Sequence, residues 1–82
     1  MALDDADPIL VAKKAIGACH QNSGQTCSAL TRLIIPESMS NEVYKIIAEK
    51  NNSYHPGDPL EENTRCGPMV SLRQQKSVSK YI

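Results

Sequence analysis

A chain of 82 residues holds one domain at most and sits near the lower size limit for an unaided core. Its nine basic and nine acidic residues cancel and are spread along the sequence, which argues against a nucleic-acid binder's basic footprint. No apolar run approaches the roughly 18 residues of a membrane span, and with no Phe, no Trp and three Tyr, few large side chains are available to fill an interior.

The sequence opens on acidic residues, Asp4, Asp5 and Asp7, the opposite of a positively charged export signal. Three cysteines without a CxxC spacing fit reduced thiols better than a disulfide framework, so the chain reads as cytoplasmic. Cys19, Cys27, Cys66, His20 and His55 lack zinc-ligand spacing, and no metal site is expected.

The first predicted element is a helix over residues 8 to 22. Asp7 is placed to cap the free amides, Pro8 suits the first helical position, and the preceding acids favour the positive end of the dipole. Ile9, Leu10, Val11, Ala12, Ala15, Ile16, Ala18 and Cys19 nearly surround the axis, so most of the circumference asks for burial. Gly24 then supplies the left-handed backbone that helix termini often need.

The run Thr31-Arg32-Leu33-Ile34-Ile35, stopped by Pro36, reads as a buried strand. A lone strand leaves its amides and carbonyls unpaired, so it is expected to pair with a segment outside this chain or with a second copy. A second helix is predicted over residues 39 to 51, capped by Ser38 or Ser40, with Met39, Val43, Ile46 and Ile47 on one side. Residues 52 to 70 carry three prolines and two glycines and read as a long loop that must lie against something. A last helix is predicted from Leu72 onward, with Ser71 and Gln74 placed as a capping box. The fold class is therefore an α/β fragment in the order α-β-α-α with an incomplete sheet, residues 1 to 82 forming one partial domain.

The chemistry is concentrated in Asn22-Ser23-Gly24-Gln25-Thr26-Cys27, with Arg32 five residues after the cysteine. This segment resembles the active-site signature of the aldehyde dehydrogenases. Asp5-Ala6-Asp7 before the first helix, Pro36-Glu37-Ser38, Gly57-Asp58-Pro59 and Gly67-Pro68 recur in that family's order, so the resemblance covers nearly the whole chain. Two positions depart from the pattern. His20 stands where the family has an aromatic or aliphatic residue, which would alter one wall of an aldehyde pocket, and Ile9 stands where a second acid often follows.

The resemblance implies a catalytic domain segment from an NAD- or NADP-dependent enzyme that oxidises an aldehyde to a carboxylic acid. Cys27 would be the nucleophile, forming a thiohemiacetal and then a thioester. Its backbone amide would share the oxyanion with an Asn from elsewhere in the enzyme, and a Glu from elsewhere would activate water. Asn22, Gly24 and Gln25 would shape the cysteine loop, and Arg32 would anchor it to neighbouring structure.

The four glycines form no phosphate-cradling loop and no βαβ unit is predicted, so no cofactor is expected in the isolated chain. Without a bound nicotinamide there is no hydride acceptor, and the expected behaviour of the chain alone is reversible addition without turnover. Two other readings stand beside this one. A non-catalytic module derived from the same fold would self-associate or bind a partner. An autonomous thiol enzyme would need a base near Cys27, for which His20 is the candidate, although a histidine at a helix C-terminus more often serves the dipole.

Overall fold

A computed structural model describes residues 1–82, and its regular structure is entirely helical. Helix α1 spans Pro8–His20, α2 spans Glu37–Asn51 and α3 spans Leu72–Val78; 3-10 turns at Gln21–Gly24 and Ser79–Tyr81 close the first and the last. The start of α1 is written locally. Asp7 has extended backbone and accepts a hydrogen bond from the Ile9 amide at 2.8 Å, while Pro8 occupies the first turn, where its missing N–H costs nothing. Ser71 caps α3 in the same way, accepting from the Gln74 amide at 3.2 Å.

Helix α2 begins two residues earlier than the capping residues suggested. Pro36 holds the N-cap position with φ −60°, no side chain caps the helix, and the Glu37 carboxylate lies in the first turn, where the dipole favours it. Ser40 instead donates back to the Glu37 carbonyl at 2.8 Å.

The α/β assignment is overturned: residues 31–35 form no strand and the chain contains no sheet. Burial nevertheless alternates along the end of the run. Leu33 and Ile35 pack against the core while Ile34, between them, is 63% exposed. What is missing is a ladder partner. The run's backbone takes one hydrogen bond from elsewhere in the chain, from the Ala2 amide to the Ile34 carbonyl at 2.9 Å, and a strand needs a second extended segment at ladder spacing.

The core is small. Ala12, Ile16, Met39 and Val43 are the four buried residues, and they mark the face on which α1 and α2 pack together. Accessible surface totals 6791 Å², against about 4,900 Å² for a compact protein of this mass. The Cα radius of gyration is 14.3 Å, against about 12 Å for a globule of this length. The surplus is apolar in large part, with Leu10, Leu60, Val70, Leu72 and Tyr81 all more than half exposed. The broad apolar surface of α1 read from the sequence is thus only partly covered: Ala12 and Ile16 are buried, Val11, Ala15 and Ala18 half-buried, and Ile9, Leu10 and Cys19 exposed.

The long loop after α2 returns on itself. Pro56 and Cys66 form an isolated bridge, with the Gly57 amide donating to the Cys66 carbonyl at 3.0 Å. A Cβ at Gly57 would lie 2.9 Å from Thr64 Oγ1, so any larger residue there would have to displace the Thr64 side chain. Closing the loop carries the chain on to Gly67–Val70, which lies against Ser23 and Gln25 in the turn that follows α1.

Candidate active site around Cys27

After His20 the chain reverses through three successive left-handed residues, Asn22 (φ 50°), Ser23 (φ 58°) and Gly24 (φ 75°). Glycine adopts that region freely, whereas Asn and Ser do so at a cost that surrounding contacts must meet. Local bonds shape the turn. The Gln25 amide donates to the Asn22 carbonyl at 3.0 Å, the Asn22 side chain donates to the Gln25 carbonyl at 3.3 Å, and Thr26 Oγ1 donates to the Gln21 carbonyl at 3.4 Å. Cys27 follows in a tight turn closed by the Ala29 amide on the Thr26 carbonyl at 3.0 Å, and the Leu30 amide then returns to the Ala18 carbonyl of α1 at 3.4 Å.

Cys27 is exposed, and neither its amide nor its thiol is hydrogen-bonded within the chain. An approaching carbonyl would therefore meet a sulfur and an N–H donor that compete with no other partner. The chain provides no walls around them, since Cys27 lines none of the larger cavities.

Of the residues singled out in the sequence, the structure gathers Asn22, Gly24, Gln25 and Cys27 into this one turn. Arg32 lies apart. It lines a groove of about 330 Å³ between α1, the segment after Cys27 and α2, together with Ile16, Cys19, Leu30, Leu33 and Ile47.

His20 is already engaged. Its Nδ1 lies 3.1 Å from the Ile16 carbonyl and its ring stacks on Tyr54 with centroids 4.4 Å apart and planes at 26°. Arg65 completes the cluster, with its guanidinium 5.9 Å from the Tyr54 centroid and Nη1 donating to Ser53 Oγ at 3.5 Å. No partner of His20 in this arrangement belongs to the Cys27 turn.

The turn is held from a distance through bonds that the sequence reading did not propose. Ser23 Oγ donates to the Gly67 carbonyl at 3.0 Å. The Gln25 side chain donates to the Pro68 carbonyl at 3.3 Å and accepts from the Val70 amide at 2.7 Å. In the sequence Gly67-Pro68 stood out only as one of the segments that carry the family resemblance.

The family implied by the signature uses a dinucleotide, and the residues of this chain do not fit one. Dinucleotide pyrophosphates sit on helix N-termini that follow a strand and a glycine-rich turn. In this fold no strand precedes a helix, Gly17 lies within α1, Gly24 follows it, and the α1 N-terminus is occupied by the carboxylate of Asp7. No grouping of His, Cys, Asp and Glu side chains is arranged to hold a metal ion. No helix is long and apolar enough to cross a membrane.

Comparison with known proteins agrees with the signature. A provisionally named aldehyde dehydrogenase of Staphylococcus haemolyticus is 39% identical over 82 residues, covering 100% of this chain and 17% of that protein. Another from Staphylococcus saprophyticus is 39% identical over 80 residues, covering 98% of this chain and 17% of its own length. A chloroplastic aminoaldehyde dehydrogenase of Arabidopsis thaliana is 34% identical over 82 residues, covering 100% of this chain and 16% of its own length. The chain thus spans about a sixth of the length of these relatives, and no solved structure matches it. The model of the Aldehyde dehydrogenase family matches residues 1–82 from end to end, and the chain belongs to that family.

Proposed function

We propose that this chain is the nucleophile-bearing segment of an aldehyde dehydrogenase, with Cys27 as the residue that attacks the aldehyde. The observation that carries this reading is the joint one at residues 22–27: the family's cysteine signature coincides with a turn that leaves the Cys27 thiol exposed and its amide free. Asn22 and Gly24 supply the left-handed backbone, Gln25 ties the turn down, and Arg32, which has no hydrogen-bond partner in the chain, is assigned to anchoring against neighbouring structure.

The chemistry that follows from these residues is addition. The Cys27 thiolate attacks the carbonyl carbon, a C–S bond forms as the C=O π bond breaks, and the developing oxyanion is met by the Cys27 amide. Protonation of that oxygen gives a neutral hemithioacetal, and nothing has been oxidised. The onward steps to a carboxylic acid belong to the whole enzyme, to which other segments would contribute the second oxyanion donor, the Glu that activates water, and the NAD or NADP site. The chain by itself is assigned no turnover, because the adduct reverts to aldehyde and thiol where no hydride acceptor is held.

The direct experiment is to add isotopically labelled aldehyde and read the hemithioacetal signals by NMR, assigned to the three cysteines with single Cys→Ser variants. Modification concentrated on Cys27, and abolished there in Cys27→Ser, supports the assignment. Even labelling of Cys19, Cys27 and Cys66 contradicts it.

The apolar surplus favours a second reading, in which the same fold serves as a self-associating module. The apolar run at residues 31–35, which joins no sheet, and the exposed apolar residues of α1 and α3 are the features such a module would use. Sedimentation velocity separates the two. A discrete, concentration-independent dimer favours the module, whereas polydisperse association favours a segment missing its neighbours.

A further inference from the structure

The turn that presents Cys27 takes its shape from bonds among residues 21 to 26, which run between neighbours within the turn and move with it. One bond, from the Leu30 amide to the Ala18 carbonyl at 3.4 Å, ties its far end to α1. Three more reach 43 to 45 residues along the chain, from Ser23 to Gly67 and from Gln25 to Pro68 and Val70, and hold the turn to a second segment.

Gln25 is the centre of this arrangement. Its amide oxygen accepts from the Val70 N–H while its amide nitrogen donates to the Pro68 carbonyl, two residues earlier. Those are the groups that a neighbouring strand's backbone would engage along one edge, and a primary amide reproduces both roles on one planar group. Glutamate keeps the acceptor and loses the donor, and alanine loses both. The left-handed Asn22 and Ser23 give the clamp a physical purpose, because backbone in such sparsely populated conformations persists only where its surroundings over-determine it.

We propose that Gln25 is a positioning residue for Cys27, clamping the cysteine turn to the Gly67–Val70 segment so that the thiol and the Cys27 amide are presented together to an aldehyde carbonyl. The proposal rests on the reading of Cys27 as the nucleophile. It adds that the aldehyde affinity of that sulfur depends on a side chain two residues away that touches no substrate.

The test measures two properties of Cys27 in the full 82-residue chain. The first is its hemithioacetal formation constant with isotopically labelled acetaldehyde, read by NMR. The second is its alkylation rate with iodoacetamide, read by mass spectrometry with Cys19 of the same molecules as the internal reference. Alkylation needs an accessible thiol, whereas the hemithioacetal also needs the amide aligned with the forming alkoxide.

Gln25→Ala lowers the Cys27 formation constant by about three- to tenfold, the scale of one or two lost hydrogen bonds, while alkylation relative to Cys19 stays within about twofold. Gln25→Glu falls between wild type and Gln25→Ala. Val70→Ala, which keeps the backbone amide that Gln25 uses, behaves as wild type. Should Gln25→Ala lose helical content by circular dichroism, Gln25→Glu carries the comparison.

An unchanged formation constant in both Gln25 variants overturns the clamp while leaving Cys27 as the nucleophile. A fall shared equally by Cys19 and Cys66 also overturns it, because that is general loosening. If wild-type Cys27 shows no more adduct than Cys19, the nucleophile assignment fails first and the clamp with it.

Discussion

His20 and Tyr54 stack face to face, 4.4 Å between centroids, and so pin the last turn of α1 to the loop that leaves α2. The pair is local to neither element, and it fastens the two-helix unit at the end from which the Cys27 turn departs. With Nδ1 directed at the Ile16 carbonyl and the ring face covered by Tyr54, His20 has a structural employment that does not involve the cysteine.

Replacing His20 by Ala is therefore expected to lower stability by about 1 kcal/mol, the scale of an aromatic pair, and Tyr54→Ala by at least as much, since Arg65 also loses its ring. Chemical denaturation followed by circular dichroism measures this. Cys27 alkylation across pH should be the same in His20→Ala as in wild type. A His20-dependent step in that profile would restore the histidine as a base.

Val43 is fully buried and stands in the cluster with Ala12 and Met39 at the α1–α2 contact. Truncation to Ala removes two methyl groups from one of the few enclosed places in the molecule, and a loss of about 2 kcal/mol is expected. With a core this small the loss should appear as separation of the two helices, read as a fall in the unfolding midpoint and increased amide exchange in both. A change confined to α2 would show that the cluster does not join them.

Gly24 separates strain from collision. Its φ is +75°, and a Cβ added there would meet the Cys19 carbonyl at 3.6 Å, an ordinary contact. Gly24→Ala is therefore expected to cost about 1 kcal/mol through backbone conformation alone, whereas Gly24→Asn, which tolerates the left-handed region, should cost less. Equal losses in the two variants, measured by denaturation, would point to steric crowding instead.

These expectations mark where the sequence was legible. The Asp7-Pro8 start of α1, the Ser71 cap of α3 and the left-handed Gly24 were readable because each depends on residues within one turn of chain. The segment 31–35 was read as a buried strand from its apolar, β-branched composition, and that reading was incorrect. Leu33 and Ile35 do pack against the core, but ladder formation depends on a second segment, and local composition cannot say whether that segment is present.

The site was legible to a similar depth. The signature named the turn and its cysteine, since those residues are contiguous. It could not show that Gln25 and Ser23 are held by the carbonyls of Pro68 and Gly67 and the amide of Val70, because backbone groups have no signature in a sequence and the partners lie more than 40 residues away. The early start of α2 has a related origin: Pro36 and Glu37 began the helix through backbone angle and charge, while Ser38 and Ser40 offered the more familiar capping side chains.

The central claim is that Cys27 is the aldehyde-reactive group, and competition among the three thiols of one molecule tests it most directly. Isotopically labelled aldehyde in limiting amount is added to the intact chain, and the hemithioacetal signal of each cysteine, assigned with single Cys→Ser variants, is integrated by NMR. The account predicts that Cys27 carries most of the modification, although Cys19 is exposed to solvent as well. Modification that follows exposure alone, with Cys19 matching Cys27, would contradict it.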